Sequence, residues 1–414
     1  MAARVALHDM AYGGAAVGRL EDGAAIFVHG GLQGETVEVD VTERKRSFAR
    51  GRLVEVLEAA PERVAPPCPH FLEGCGGCQW QHASYEAQLK YKQHILADQL
   101  RRAGHIADPP LQEPVPSPKP FAYRNVAEFH IGRKAVGFNR EGSHELVDIK
   151  HCPLMEPPID AALETVRAFR PKLAGIGSAQ IRTGIDGLQV ALMCDDDPRV
   201  YKLLAGELAA AIGLDVRVAG VKAGSSSMRG LHGEPWLHMA LAGRQFRVSA
   251  LSFFQVNTAV SETLASIVTE HVPSGGRVLD LFSGVGTFAI LAADKAREVV
   301  AVEVHPAAVA DAHANLAEAA ADNVRLVQAD VAASAGLAAE QWDLLILDPP
   351  RAGCPRAVLE AVTAAKVVYV SCDPSTLARD LRVLLDRGFS LESVQLLDMF
   401  PQTYHLETVA VLTR

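Results

Sequence analysis

The sequence predicts a multidomain chain with an N-terminal all-β barrel, a central α+β domain and a C-terminal α/β domain built on a mostly parallel sheet. Three observations predict it. At 414 residues the chain exceeds what one hydrophobic core usually organises. Its texture changes along its length, from short apolar runs broken by glycine to nearly unbroken apolar strands alternating with alanine-rich helices. A proline-rich stretch, APERVAPPCPH, closes the glycine-broken region and marks a boundary. The expected domains are residues 1–60, 61–248 and 249–414.

The first 60 residues contain the runs VALHDM, AAIFVHG, TVEVDVTE and ARGRLVEVLEA, separated by the glycine-rich turns YGGAAVG and GGLQGE. Strands at this spacing suggest a small barrel. In the middle region YEAQLKYKQHILADQLRR predicts one amphipathic helix, with Leu89, Ile95, Leu96 and Leu100 on one side. Strand-like runs such as AEFHIGR and AVGFNR come next, with proline and glycine too frequent for a parallel α/β pattern. From about residue 249 seven apolar runs alternate with helical segments: RVLDLF, EVVAVEV, NVRLVQAD, WDLLILDPP, KVVYVSC, SVQLLDMF and TVAVLTR. The last two lie close together, as in a doubly wound domain that ends in an antiparallel hairpin.

Composition narrows the function. Charged residues are 21% and hydrophobic residues 49%, which is ordinary for globular protein and excludes a mainly disordered chain. No uninterrupted apolar run of about 18 residues is present, so no membrane span is expected. The N-terminus lacks the apolar core of a signal peptide, and a cytoplasmic location is the expectation. The net charge of −9 argues against nucleic-acid binding by bulk positive charge. It leaves room for a local basic groove.

VLDLFSGVGTFAI reads as strand, glycine turn and helix. Gly284 and Gly286 let the backbone approach a ligand at the strand's carboxyl end. A third glycine of the dinucleotide fingerprint is replaced by Ala289, a permitted substitute, so this turn alone does not separate donor classes. Glu303, Asp330 and Asp348 end the next three strands. Carboxylates at successive strand ends suit a ligand with ribose hydroxyls, an adenine amine and a cationic head, as in S-adenosylmethionine. Helix capping is the plainer use of any one of them.

Cys372 in VVYVSCDPSTLARDL falls at the end of the fifth strand, with Asp373 as N-cap and Pro374 at the first helical position. A thiol beside a helix N-terminus is expected to have a lowered pKa and to act as a nucleophile. Cys354 lies in a loop without such a cap, and Cys194 reads as core. A thiolate beside a methyl donor suggests attack on carbon-6 of a pyrimidine, which makes carbon-5 nucleophilic. A base must then remove the carbon-5 proton. His405 and Glu407 in MFPQTYHLETVAVLTR are the available bases, unless they are ordinary strand residues.

Cys68, Cys75 and Cys78 form C-x6-C-x2-C, and Cys152 in KHCP is a plausible fourth ligand. Clustered cysteines in a reducing compartment point to metal, either an iron–sulfur cluster or structural zinc.

Taken together, SFFQVN, LFSGVGT, DPPRAG, SCDP and HLE resemble the bacterial RNA uracil-5 methyltransferases, especially those of 23S ribosomal RNA, over nearly the whole chain. The resemblance implies an OB-like TRAM barrel at the N-terminus, a central iron–sulfur domain and a Rossmann-like class I methyltransferase domain. It implies S-adenosylmethionine as donor, held by Gln255, Phe282, Thr287, Glu303, Asp330 and Asp348. It implies Cys372 as nucleophile, Glu407 as base, and a [4Fe-4S] cluster on Cys68, Cys75, Cys78 and Cys152. RNA becomes the expected partner, with a single-stranded or loop uridine as target. The basic residues Arg44, Lys45, Arg46, Arg50 and Arg52 are expected to contact its backbone. Transfer RNA uracil-5 and RNA cytosine-5 methylation are the alternative readings. No obligate protein partner is implied.

Overall fold

Small inward-facing side chains decide the first domain. The computed structural model describes residues 2–213 and 215–414. Strands β1 (Ala2–Met10), β2 (Ala16–Arg19), β3 (Ala25–His29), β4 (Thr36–Arg44) and β5 (Phe48–Glu58) close into a barrel in the order β1-β2-β3-β5-β4. Only the β3–β5 pair is parallel. Alternation sends Val5, Leu7, Ile26, Val28, Val37 and Val39 inward, each at most 2% exposed. The apolar pattern leaves AVGR inside a glycine-rich turn, whereas it is strand β2. Its buried positions are Ala16 and Gly18, too small to register as an apolar run.

The short helix α1 (Pro69–Leu72) and the long helix α2 (Tyr85–Arg102) come after the barrel. Ser84 caps α2 through its hydroxyl, 3.4 Å from the Ala87 amide. The buried side of α2 differs from the expected one. Ile95, Leu96 and Leu100 lie on it, Leu89 is only half-buried, and Gln88 and Lys92 are fully buried.

The central sheet contains β6 (Val126–Ile131), β7 (Val136–Asn139), β8 (Leu146–Asp148), β9 (Ile176–Gly184), β10 (Gly187–Cys194), β11 (Val216–Lys222) and β12 (Met228–His232), in the order β12-β11-β10-β9-β6-β7-β8. It is antiparallel except for β10 with β11. Helices α3 (Pro157–Phe169) and α4 (Lys202–Ile212) pack on it through Ile159, Leu163 and Leu208. Strands β13 (Trp236–Leu241) and β14 (Arg244–Ser249) form a separate hairpin. Its residues Leu237, Phe246 and Val248 share a core with Ala265 of α5 (Thr258–Glu270) and with Ile290 further on.

The C-terminal sheet uses all seven predicted runs. In chain order they are β15 (Arg277–Leu281), α6 (Thr287–Ala293), β16 (Glu298–Glu303), α7 (Pro306–Glu318), β17 (Val324–Gln328), α8 (Ala335–Ala338), β18 (Leu344–Leu347), α9 (Arg356–Ala361), β19 (Lys366–Ser371), α10 (Pro374–Asp386), β20 (Ser390–Leu397) and β21 (Glu407–Thr413). The strand order is β17-β16-β15-β18-β19-β21-β20, and β15 to β19 are mutually parallel. Strand β21 lies between β19 and β20 and is antiparallel to both. The order reverses between β15 and β18, where ligands bind in such sheets.

One hydrophobic core runs through the barrel, Trp80, α2 and the C-terminal sheet, joining Val39, Leu96, Leu381 and Leu396. Among the described residues no helix is long and apolar enough to cross a membrane. Ile26 is fully buried in the barrel. Ile26→Ala is expected to destabilise the protein by about 2–5 kcal/mol through lost burial and the cavity left behind, read as a lower urea midpoint.

Candidate active site

The turn after β15 is built from backbone that ordinary residues avoid. Gly284 and Gly286 have φ of +55° and +86°, and Phe282, a non-glycine, has +66°. A left-handed Phe282 costs about 1–2 kcal/mol and persists only where its surroundings hold it. The Gly284 amide donates to Glu303 Oε2 at 2.9 Å, and the amides of Val304 and His305 donate to Oε1 at 2.8 and 2.7 Å. Glu303 at the end of β16 thus faces the glycine turn. Thr287 opens α6.

Asp330 performs the plainer role, capping the turn Val331–Ala333 by accepting from the Ala332 amide at 2.9 Å. The SFFQVN segment is anchored at both ends. Ser252 donates to Asp311 Oδ2 at 2.6 Å, while Asn257 caps α5 and donates to Ser117 Oγ at 3.0 Å. Between them the Gln255 amide oxygen is buried without a hydrogen-bond partner. Ser283 Oγ and both carboxyl oxygens of Asp280 are in the same state. Unsatisfied buried polar atoms around a strained glycine turn fit a polar ligand at this edge. These residues therefore fit an adenosyl donor. Sequence reasoning missed Asp280. Its position in LDLF, just before the turn, was the available signal. Burial first, and then Asp348, push its carboxyl well above the usual range.

Asp348 lies just past β18, Cys372 just past β19, and Glu407 opens β21. The antiparallel β19–β21 ladder ends at Ser371 with Thr408, and Cys372 and Glu407 are the residues adjoining that last pair. Thr408 Oγ1 donates to Ser371 O at 3.0 Å and locks that register. Glu407 is 3% exposed. Its carboxyl is raised well above the ordinary value by burial and then by Asp348. Burial also raises Asp348. Two desolvated carboxyls in this relation resist ionising together.

The expectation of a lowered Cys372 pKa is overturned. The thiol is pushed up to about 11, first by burial, then by Glu407 and Asp348, while Arg351 acts in the lowering direction. The helix effect is spent on Asp373, whose carboxylate accepts from the Ser375 and Thr376 amides at 3.0 and 2.9 Å. Asp373 also receives the Tyr12 hydroxyl at 3.0 Å, bringing a barrel loop to the residue after Cys372. His405 packs on Tyr404 with ring centroids 4.2 Å apart, and burial lowers it to about 4. Of the two candidate bases, only Glu407 adjoins the ladder end beside Cys372. Cys354 and Tyr369 are buried on Asp380, the Cys354 amide at 2.8 Å and the Tyr369 hydroxyl at 2.6 Å, which fixes the DPPRAG loop. Cys194 is core, as expected.

Cys68, Cys75, Cys78 and Cys152 line one cavity of about 140 Å³, with Arg124 and Phe138 in its wall. Gln81 Nε2 donates to Cys78 Sγ at 3.1 Å. Burial is the leading cause that raises Cys75, Cys78 and Cys152, Cys152 to about 12, and the neighbouring thiols add to it. Among the described residues no group of three or more His, Cys, Asp or Glu is arranged to hold a metal ion. On the barrel, Lys45, Arg50 and Arg52 pair with Glu43, Glu43 and Asp40 at 3.1, 3.5 and 3.8 Å, and Arg44 pairs with Asp22. These pairs are exposed and worth little, so an incoming phosphate competes with them easily. Arg46 is exposed as well.

Residues 234–414 match the tRNA (uracil-5-)-methyltransferase family, and residues 3–54 match the TRAM domain. The chain is 34% identical to an uncharacterized RNA methyltransferase of Thermosynechococcus vestitus over 98% of this chain and 97% of that one. It is 35% identical to the 23S rRNA (uracil(1939)-C(5))-methyltransferase of Shewanella amazonensis, over 94% and 90%. The crystal structure of Pyrococcus abyssi tRNA (uracil-54, C5)-methyltransferase in complex with S-adenosyl-L-homocysteine superposes with a TM-score of 0.80 at 25% identity, over 99% of both chains.

Burial and then the Glu407 charge raise the Cys372 thiol, so Glu407→Gln should lower its pKa over the range in which Glu407 is ionised. Iodoacetamide labelling of Cys372, read by peptide mass mapping, should be slow in the unaltered protein at pH 7.5. It should rise about tenfold per pH unit up to its pKa. In Glu407→Gln it should be faster at pH values where Glu407 is ionised. Equal rates in the two proteins up to the thiol pKa would mean that the Glu407 charge does not reach the thiol.

Proposed function

The chain belongs to the S-adenosylmethionine-dependent RNA uracil-5 methyltransferases, and we propose that it forms 5-methyluridine in 23S ribosomal RNA with Cys372 as nucleophile and Glu407 as base. The observation that supports this reading is the end of the β19–β21 ladder, beside which Cys372 and Glu407 both lie, at the sheet edge where the glycine turn also lies. Amine methylation needs no such thiol.

When bound, S-adenosylmethionine supplies the electrophilic methyl group and a positive charge beside these carboxylates. Gln255, Phe282, Thr287, Glu303, Asp330 and Asp348 are the residues assigned to hold it. Cys372, once ionised, adds to carbon-6, and the electrons of the C5=C6 bond move towards O4. After carbon-5 has gained its methyl group, the Glu407 carboxylate takes the carbon-5 proton. The C5–H pair re-forms C5=C6, and the C6–S pair returns to sulfur. A carboxyl with a raised pKa is the stronger base once ionised. Carbon-6 is hidden in a stacked helix, so the target uridine is one that can flip out.

The ribosomal assignment is supported by near-full-length similarity to the Shewanella enzyme and by the cysteine cavity. The four cysteines suit a [4Fe-4S] cluster by donor chemistry, four soft thiolates around one cavity. In this reading residues 1–60 contact folded RNA, 61–248 carry the cluster, and 249–414 carry the chemistry. One observation favours transfer RNA instead, the superposition on the Pyrococcus enzyme.

The test is trapping on RNA containing 5-fluorouridine, whose carbon-5 fluorine cannot leave as a proton. Anaerobically purified protein with donor and ribosomal RNA should give a denaturation-resistant adduct that is lost in Cys372→Ala. Its mapped position names the site. An adduct with transfer RNA alone would replace the ribosomal reading, and one with 5-fluorocytidine alone would replace uracil. For the cysteines, about four iron and four sulfide per chain are expected. Cys152→Ala should lower both, whereas one zinc per chain would overturn the cluster.

A further inference from the structure

The base is reached through a segment gripped from outside its own domain. Residues 398–406 connect β20 to Glu407. Lys92 Nζ, on α2, donates to Asp398 Oδ1 at 2.5 Å and to Phe400 O at 2.9 Å. Both charged side chains are 0% exposed. One turn earlier on α2, Gln88 Nε2 donates to Gln402 Oε1 at 2.9 Å, and the Gln402 amide donates back to Gln88 Oε1 at 2.9 Å. The amides of Gln79 and Trp80, just after Cys78, donate to Gln402 O at 3.1 and 3.0 Å. Gln402 has φ +70°, a left-handed conformation for a non-glycine residue, and its bonds with Gln88, Gln79 and Trp80 hold it there.

Stability does not account for this arrangement. A buried ion pair is weak stabilisation compared with apolar residues of the same volume. What the grip does is set where the segment delivers Glu407. We propose that Lys92 and Gln88 are positioning residues for the elimination step, holding residues 398–406 so that the Glu407 carboxylate meets the carbon-5 proton. The cysteine segment then serves the reaction mechanically, through Gln79 and Trp80, from the far side of α2. This rests on Glu407 being the base. The step served breaks C5–H with the proton passing to Glu407, re-forms C5=C6, and breaks C6–S with the pair returning to Cys372.

The experiment is single turnover on unmodified RNA with a methyl-labelled donor, reading the fraction of label in a denaturation-resistant enzyme–RNA adduct. Three variants are compared with the unaltered protein. Lys92→Met with Asp398→Leu removes both buried charges together. Gln402→Gly keeps the left-handed backbone and removes only the side-chain amide. Glu407→Gln is the control for the base. Misplacing a base by about 1 Å slows its step by on the order of a hundredfold, so the double variant should accumulate labelled adduct at least about tenfold above the unaltered protein. Gln402→Gly should accumulate severalfold more, and donor affinity by calorimetry should not change. A structural role alone would lower the amount of folded enzyme without accumulating adduct.

Accumulation in Glu407→Gln but in neither other variant overturns the positioning proposal alone. No accumulation in Glu407→Gln overturns the base, and the proposal with it. Should the double variant fail to fold, Gln402→Gly decides, an increase supporting the proposal and unaltered elimination overturning it.

Discussion

Hydrogen bonding between β19 and β21 runs antiparallel, so the last strand brings its first residue, not its last, to the carboxyl edge of the sheet. Five parallel strands already end at that edge. Their termini supply the glycine turn, Glu303, Asp348 and Cys372. Only a strand of opposite direction adds a residue that enters from its N-terminal side, and Glu407 is that residue. The remaining architecture holds this juxtaposition. Thr408 locks the ladder, Asp380 fixes the DPPRAG loop through Cys354 and Tyr369, and Asp311 anchors the approach to Gln255.

Charge at that edge is unbalanced in one direction. Asp280, Asp348 and Glu407 are all raised by burial, and Cys372 is raised along with them. Burial penalises the charged form of each of these acids, and a nearby positive charge favours it. A sulfonium donor brings one. The site is thus matched to a cationic ligand by what it lacks, and burial holds the Cys372 thiol towards its protonated form. Alkylation and trapping read opposite ends of that state, the resting thiol and the committed adduct.

The three parts of the chain are not independent modules around this edge. The barrel reaches it through Tyr12 and Asp373. Helix α2 and the cysteine segment reach it through Asp398, Phe400 and Gln402. A continuous core from Val39 to Leu396 makes these contacts rigid. Cys78, remote in sequence from Cys372, is followed by Gln79 and Trp80, whose amides bond Gln402 in the segment that leads to Glu407.

Local pattern was enough for much of this. The seven C-terminal strands, helix α2, the Asp373 cap and the glycine turn were all readable, because strand period and cap chemistry are properties of neighbouring residues. Strand β2 was not, since Ala16 and Gly18 are too small to mark an apolar face. Nor was the burial of Gln88 and Lys92, whose partners lie some three hundred residues away. The state of Cys372 was misread for the same reason. Its own helix argues for a low pKa, but Asp373 absorbs that field, and the carboxyls that raise it come from β18 and β21. The residue types of the chemistry were therefore set by the sequence alone. Their protonation and alignment were decided by tertiary structure, because burial and distant charge act only once separate strands stand side by side.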